Sequence, residues 1–196
     1  YEPSGGVALQ REDPDQRLLD EAEQFVREGH SDEAFQALRG AVRSRVVSLA
    51  VHELYQRLLR QHHRNDELRD HTRQYINRLL QEKHERRALA LQREALDTDP
   101  AFAPLLPEQA TLLAERAKMA GQYQLATDGL LAAIGAWPRE RMLPAWSLDA
   151  GLLLAERFGR DDDARMVLQN ALDHCDDEAQ HAKLAAALKA VAIQPA

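Results

Sequence analysis

Apolar residues recur at spacings of three and four along most of the chain, the pattern of amphipathic α-helices. The first such segment carries Leu18, Leu19, Ala22 and Phe25 on one stripe. Proline and glycine interrupt the pattern and mark where segments end. Ten helices are predicted, near 15–28, 31–44, 46–61, 66–81, 84–97, 107–120, 123–136, 144–158, 162–174 and 177–191.

Small and apolar residues also recur at a fixed step of 38 positions. The series are Ala88, Ala126 and Ala164; Ala95, Ala133 and Ala171; Leu96, Ile134 and Leu172; and the pair Pro100 and Pro138. A fixed period in this range is typical of stacked helix pairs, each of which buries its apolar face against its neighbours. The repeat therefore predicts an all-α fold, a right-handed solenoid of αα-hairpins.

The predicted domain organisation follows from the repeat. A leader at 1–14 precedes a helical repeat domain at 15–176, and a capping helix follows at 177–192. The hairpins lie near 15–44, 66–100, 107–138 and 144–176. Ala34 and Ala88 are 54 residues apart, which is longer than one step, so the helix near 46–61 is extra. It either begins a degenerate repeat or divides the stack, and both interpretations stay open.

Composition agrees with helix packing and restricts the other classes. Aromatic residues make up only 5% of the 196 residues, which leaves little material for a strand-rich core. The single cysteine, Cys175, excludes an intrachain disulfide. No apolar run reaches the roughly 18 to 20 residues of a membrane span.

Localisation is predicted only loosely. We favour a cytoplasmic protein, but the chain opens on Tyr1 and could be the soluble domain of a larger, membrane-anchored protein. Arginine outnumbers lysine by 21 to 4, a bias that we associate with a GC-rich bacterial genome.

Charge is distributed unevenly. Residues 43–94 hold 12 Lys or Arg against 7 Asp or Glu, whereas the segments on either side are acidic. A basic middle favours an acidic partner segment, and it leaves open a nucleic-acid-associated protein that uses the basic face at 57–93. The overall net charge of −7 argues against that alternative. A self-assembling structural module is the other alternative.

The hairpins resemble tetratricopeptide repeats, a family of helix pairs that bind peptides or partner proteins. The matching residues are Gly29, Ala34, Leu38 and Ala41; Gly121, Ala126, Leu130, Ala133 and Pro138; and Gly159, Ala164, Leu168 and Ala171. Lys83 stands where a fourth turn glycine is expected, and the period of 38 exceeds the usual length of about 34. The array therefore resembles a divergent member of this family.

The resemblance implies a concave groove lined by the first helix of each hairpin. The positions that it implies for partner binding are Arg73, Asn77, Thr111, Glu115 and Asp149. Arg73 and Asn77 match the first pair of the family's carboxylate clamp, but Glu115 and Asp149 stand where an amide and a cation are wanted. The clamp is incomplete, so the expected ligand is a protein or peptide of unknown identity.

No residue pattern indicates catalysis. The chain lacks a nucleophile elbow, a phosphate-binding loop and a dinucleotide fingerprint. His62, His63 and His71 near Asp66 form a histidine-rich stretch without the cysteines or the spacing of a zinc site. His174, Cys175 and His181 form another. We predict a protein that is not an enzyme and needs no cofactor or metal.

Overall fold

The computed structural model describes residues 13–193. Over this range every regular element is an α-helix, which confirms the all-α class and the predicted number of ten helices. The helices are α1 (Pro14–Arg27), α2 (Ser31–Ser44), α3 (Leu49–Gln61), α4 (Asn65–Gln81), α5 (Glu85–Thr98), α6 (Pro107–Met119), α7 (Tyr123–Ala136), α8 (Leu143–Phe158), α9 (Asp161–Asp173) and α10 (Glu178–Ile193).

Proline and the helix caps act largely as the sequence indicates. Asp99, before Pro100, is extended with φ −136° and ψ 98°, and it ends α5. Pro107 is the first residue of α6, where its missing N–H costs nothing. Helix α9 begins with Asp161 and Asp162, and Arg160 precedes it without a side-chain cap. The two aspartates lie in the first turn, where they still favour the positive end of the helix dipole.

One type of turn recurs at five helix ends. Its central residue is left-handed and is Gly29, His63, Lys83, Gly121 or Gly159. At the first four turns the next N–H bonds back to a carbonyl five residues earlier, at 2.8 to 3.0 Å, as in a Schellman motif. After Gly159 the N–H of Arg160 bonds six residues back, to the carbonyl of Leu154 at 2.9 Å. Lys83 takes the left-handed conformation that its position in the repeat predicts for glycine. The turn at His63 also adds α3, the extra helix, to the same series.

The chain divides into two compact units within α4, between His71 and Thr72. In unit 1, residues 13–71 of the described chain, α1, α2 and α3 all contact one another. Its core contains large side chains, among them Phe35, Leu38, Tyr55 and Leu59. The predicted leader at 1–14 lies outside the described residues except for Asp13, which caps α1, and Pro14, which begins it.

In unit 2, from Thr72 onward, consecutive helices from α6 to α10 pack on one another, and α5 contacts α6 and α7. Alanine supplies much of the buried surface, including Ala88, Ala126 and Ala164 of the 38-residue series. The last helix, α10, also contacts α8 and buries Leu184. A single continuous solenoid over 15–176 stays a prediction. Among the described helices, none combines the length and apolar character needed to cross a membrane.

Candidate functional site

The predicted groove residues lie on α4, α6 and α8 of unit 2, and the first two are on α4. Arg73 donates from Nε to the carbonyl of Ala103 at 3.0 Å, and its guanidinium lies 5.4 Å from the centre of the Phe102 ring. Asn77 accepts a 2.7 Å hydrogen bond from the side-chain amide of Gln109 on α6. Both side chains are half-buried. Their polar atoms therefore join α4 to the following loop and helix.

Thr111 on α6 receives the next connection. Its hydroxyl accepts a 2.8 Å hydrogen bond from Nε1 of Trp146 on α8, and it lies 3.9 Å from the sulfur of Met142. Trp146 is buried, and its ring centre lies 6.0 Å from that of Trp137. Burial leaves the indole N–H dependent on a protein acceptor, and Thr111 provides it.

Asp149 on α8 forms an ion pair with Lys118 on α6, with 2.5 Å between Nζ and the carboxylate oxygen. Both side chains are partly exposed, so we expect the pair to contribute little to stability. The pair nevertheless holds two charged groups of opposite sign next to each other on the surface. Sequence reasoning missed Lys118, although it lies seven residues after Thr111 and therefore on the same face of α6.

Glu115 is exposed and lies between Thr111 and Lys118 on the same stripe of α6. Met119 continues this stripe one turn beyond Glu115 and is 78% exposed. We refer to six partly or fully exposed polar side chains on α4, α6 and α8 as the polar row. Its members are Arg73, Asn77, Thr111, Glu115, Lys118 and Asp149. Asn77 bonds to Gln109 of α6, and Thr111 and Lys118 of α6 bond to Trp146 and Asp149 of α8. Whether the row residues bind a partner stays a prediction.

The hydrogen bonds that the row residues make within the protein affect whether Arg73 and Asn77 can bind a partner carboxylate. A partner carboxylate would compete with the Ala103 carbonyl for Nε of Arg73, and it would have to bind Nδ2 of Asn77 while Oδ1 of Asn77 accepts from Gln109. Gln109 is buried, and its Oε1 already accepts from the N–H of Leu106 at 3.2 Å. Displacing Asn77 would leave a buried amide donor unsatisfied, which costs roughly 1 to 3 kcal/mol. The described contacts include no internal hydrogen bond for Glu115. It is the most accessible carboxylate of the row.

Unit 1 contains a different set of polar contacts. The Asp15 carboxylate on α1 accepts a 2.5 Å hydrogen bond from the backbone N–H of Ser48, at the start of α3, and pairs with Arg45. Burial alone would raise the pKa of Asp15, but these donors outweigh it and hold the pKa below 3.8. Asp15 thus ties the beginning of α1 to the connection between α2 and α3.

Glu67 is the centre of a second polar cluster in unit 1. It pairs with Arg39 on α2 and with Arg64, and it accepts a 3.3 Å hydrogen bond from the hydroxyl of Tyr55. Burial is the main cause that raises the pKa of Tyr55. Arg64 also lies over the Phe35 ring, 4.4 Å from its centre. The cluster connects α2, α3 and the start of α4.

The histidines are arranged differently from the sequence pattern. His71 is separated from His62 and His63 and packs against His52 of α3, with 3.0 Å between Nε2 of His71 and Nδ1 of His52. His62 meets the Phe35 ring edge-on. Across residues 13–193, no group of three or more His, Cys, Asp or Glu side chains could hold a metal ion. His52 was missed because nothing in its local sequence distinguishes it.

The second histidine-rich stretch borders a surface cleft of about 400 Å³ in unit 2. His174 and Cys175 lie along it, opposite Arg139 and Arg141. The Nδ1 of His174 is 2.8 Å from the carbonyl of Asn170, so that nitrogen is used within α9. The cleft is open and mixed in charge, and these contacts favour no particular ligand.

Several arginines of the basic segment at 57–93 are paired with carboxylates. Arg57 reaches Glu23 at 3.5 Å, Arg64 is shared between Glu67 and Asp32, and Arg78 pairs with Glu82. Paired arginines present less unbalanced positive charge to a phosphate backbone.

Comparison with known protein families and with curated protein sequences finds no match to this chain.

Proposed function

We propose that this protein is a non-catalytic scaffold, built of tetratricopeptide-like helix pairs, that binds a partner protein or peptide along the polar row of unit 2. The observation that carries the proposal is the row itself, in which partly or fully exposed polar groups lie on α4, α6 and α8 and side-chain bonds connect α4 to α6 and α6 to α8. The repeated left-handed turn at Gly29, His63, Lys83, Gly121 and Gly159 supports the helical-repeat interpretation.

The chemistry of the row favours a peptide that carries charges of both signs. Lys118 and Asp149 form a partly exposed pair, and each has further hydrogen-bonding capacity for a partner. Met119, beside Glu115, adds a flexible apolar contact of the kind that adapts to different ligands. Such a surface would orient a partner by charge and gain affinity from burial of the methionine.

The test is selection from a displayed library of random linear peptides, followed by fluorescence anisotropy with the best binder. Glu115→Lys reverses one accessible charge of the row, and we expect it to weaken binding at least tenfold, equivalent to about 1.4 kcal/mol. The matched control is Asp173→Lys, the same change of charge at an exposed site at the end of α9, where a cation is tolerated. We expect the control to bind like the wild type.

Four results would contradict the proposal. Equal loss in both variants would mean that only net charge matters, and no loss in either would place binding elsewhere. Failure to select any peptide, together with salt-sensitive oligonucleotide binding, would favour the basic face at 57–93. A mass that rises with concentration in light scattering would instead favour the self-assembling module.

A further inference from the structure

Buried groups that change charge below neutral pH are concentrated in unit 1. Among the described residues, the buried polar side chains of unit 1 include Asp15, His52 and His71. Those of unit 2 are uncharged amides and hydroxyls, namely Thr72, Gln92, Gln109, Thr127 and Ser147. Acid should therefore act on the two units through different groups.

The two histidines form one buried contact between α3 and the beginning of α4. His52 is 5% exposed and His71 is 3% exposed, and their rings stack with centres 5.2 Å apart. The facing nitrogens can share only one proton, because one must donate and the other must accept. Protonation of both rings would place two N–H groups and two positive charges against each other.

The charged groups described around this contact include Arg60 and two carboxylates that already have partners. Arg60 on α3 adds a positive charge that disfavours protonation of His71. Tyr55 packs edge-on against His71, with ring centres 4.7 Å apart. Glu67, the carboxylate bound by Tyr55, is already paired with Arg39 from α2 and with Arg64. From α1, Asp15 is engaged at Ser48 and Arg45.

We propose that the contact between His52 and His71 is an acid-sensitive switch in unit 1, which holds residues 65–71 of α4 against α3 at neutral pH and releases them on protonation. Release exposes both rings to water, where each can be charged without repelling the other. Because Tyr55 and Glu67 join the same cluster, the opening would also separate the start of α4 from α2 and α3.

The direction of the pH effect follows from proton binding. Burial, followed by the nearby His52 and Arg60, lowers the pKa of His71 from 6.5 to about 3. The opened form therefore binds a proton that the closed form excludes. Stability from the neutral pair is fully present above pH 6.5 and falls as the pH decreases toward 3. The pKa of Asp15 lies below 3.8, so Asp15 stays charged through most of this range.

Amide hydrogen exchange of the whole chain, measured by mass spectrometry between pH 7 and pH 5, tests the switch. Each rate is divided by the intrinsic rate at the same pH. We expect protection within 49–71 to fall by up to tenfold per pH unit below 6.5 for each proton that the opened form takes up. Peptides from α7, at Tyr123–Ala136, should show no such slope, because the described residues of unit 2 bury no histidine.

The double variant His52→Leu/His71→Phe removes both titrating rings while keeping apolar volume, and its protection over 49–71 should not depend on pH. The control is His63→Asn, since His63 is exposed in the same hairpin and asparagine tolerates its left-handed backbone. The control should retain the wild-type slope. A flat wild-type profile, or the same slope in the double variant, would overturn the proposal.

Nuclear magnetic resonance of the wild-type histidine rings decides the matter if the double variant does not fold. We expect the His71 ring to stay neutral in the closed form and to become protonated only in the form that has lost protection. Titration of His71 near pH 6.5 with the native spectrum retained would overturn the switch. This outcome is independent of peptide binding at the polar row, which lies in unit 2.

Discussion

Unit 1 and unit 2 are both made of α-helices, but they differ in the buried side chains at their helix contacts and in the charge of their buried polar groups. Unit 1 packs large rings such as Phe35 and Tyr55 and encloses the titratable side chains Asp15, His52 and His71. Unit 2 also buries the rings of Trp146 and Phe102, but it uses alanine at many helix contacts, and its buried polar side chains among the described residues are uncharged. Close approach of helices through small residues leaves little room for charged groups, whereas bulky rings separate the helices and create polar contacts that must be paired.

Truncation of the buried Phe35 ring should strongly destabilise unit 1. Phe35→Ala removes a buried ring that meets both Tyr55 and His62, and we expect a loss of about 3 to 5 kcal/mol in the free energy of unfolding. Urea unfolding followed by circular dichroism, with hydrogen exchange of α2, measures the loss. Phe158→Ala, at a half-buried phenylalanine in unit 2, is the matched control and should cost less. Equal losses of unfolding free energy in Phe35→Ala and Phe158→Ala would contradict this prediction.

Enlargement of a small residue should be most harmful in unit 2. A Cβ added to Gly151 would lie 2.7 Å from Cγ of Leu168, which is fully buried and has little room to move. We expect Gly151→Ala to cost roughly 1 to 2 kcal/mol, although alanine favours helix. In unit 1, Gly40 is helical with no atom within 4 Å of such a Cβ. Gly40→Ala should therefore stabilise by about 0.5 to 1 kcal/mol, and thermal unfolding should give opposite signs.

The smallest effect should come from the turn that the two units have in common. Lys83 is left-handed with φ 61°, a conformation that costs a side chain roughly 1 kcal/mol, so Lys83→Gly should stabilise by about 0.5 to 1 kcal/mol. Lys183→Gly makes the same change on an exposed face of α10 and should destabilise by about as much. Chemical denaturation can resolve the difference. A loss at both lysines would show that the turn at Lys83 does not favour glycine.

The predicted helices were close to those observed because their end signals are local. Pro107 begins α6, and Gly29, Gly121 and Gly159 end their helices in left-handed turns, each through the properties of its own backbone. The start of α3 was less accurate: the helix begins at Leu49, although the apolar pattern extends back to Val46. Val46 is exposed, so its apolar character did not reflect burial in a helix.

The candidate surface could be predicted only in part. Arg73, Asn77, Thr111, Glu115 and Asp149 were selected by their offsets in the repeat. Side-chain hydrogen bonds connect α4 to α6 and α6 to α8. Their internal partners were not predictable, since the bonds cross 30 or more residues. The link between Thr111 and Trp146 is one example, and Lys118 with Asp149 is another. A repeat pattern specifies which helices follow each other but not the rotamers that meet between them.

The sequence by itself determined the helical class, the number of helices and the places where they turn, because periodicity, proline and glycine act over a few neighbouring residues. Only the tertiary structure decided which polar groups are buried together. Nothing local distinguishes His52 from the exposed His63, or Asp15 from other acidic residues at a helix start. The crossing of α3 with its neighbours brings His52 to His71 and Ser48 to Asp15, and burial then changes what those groups can do with a proton.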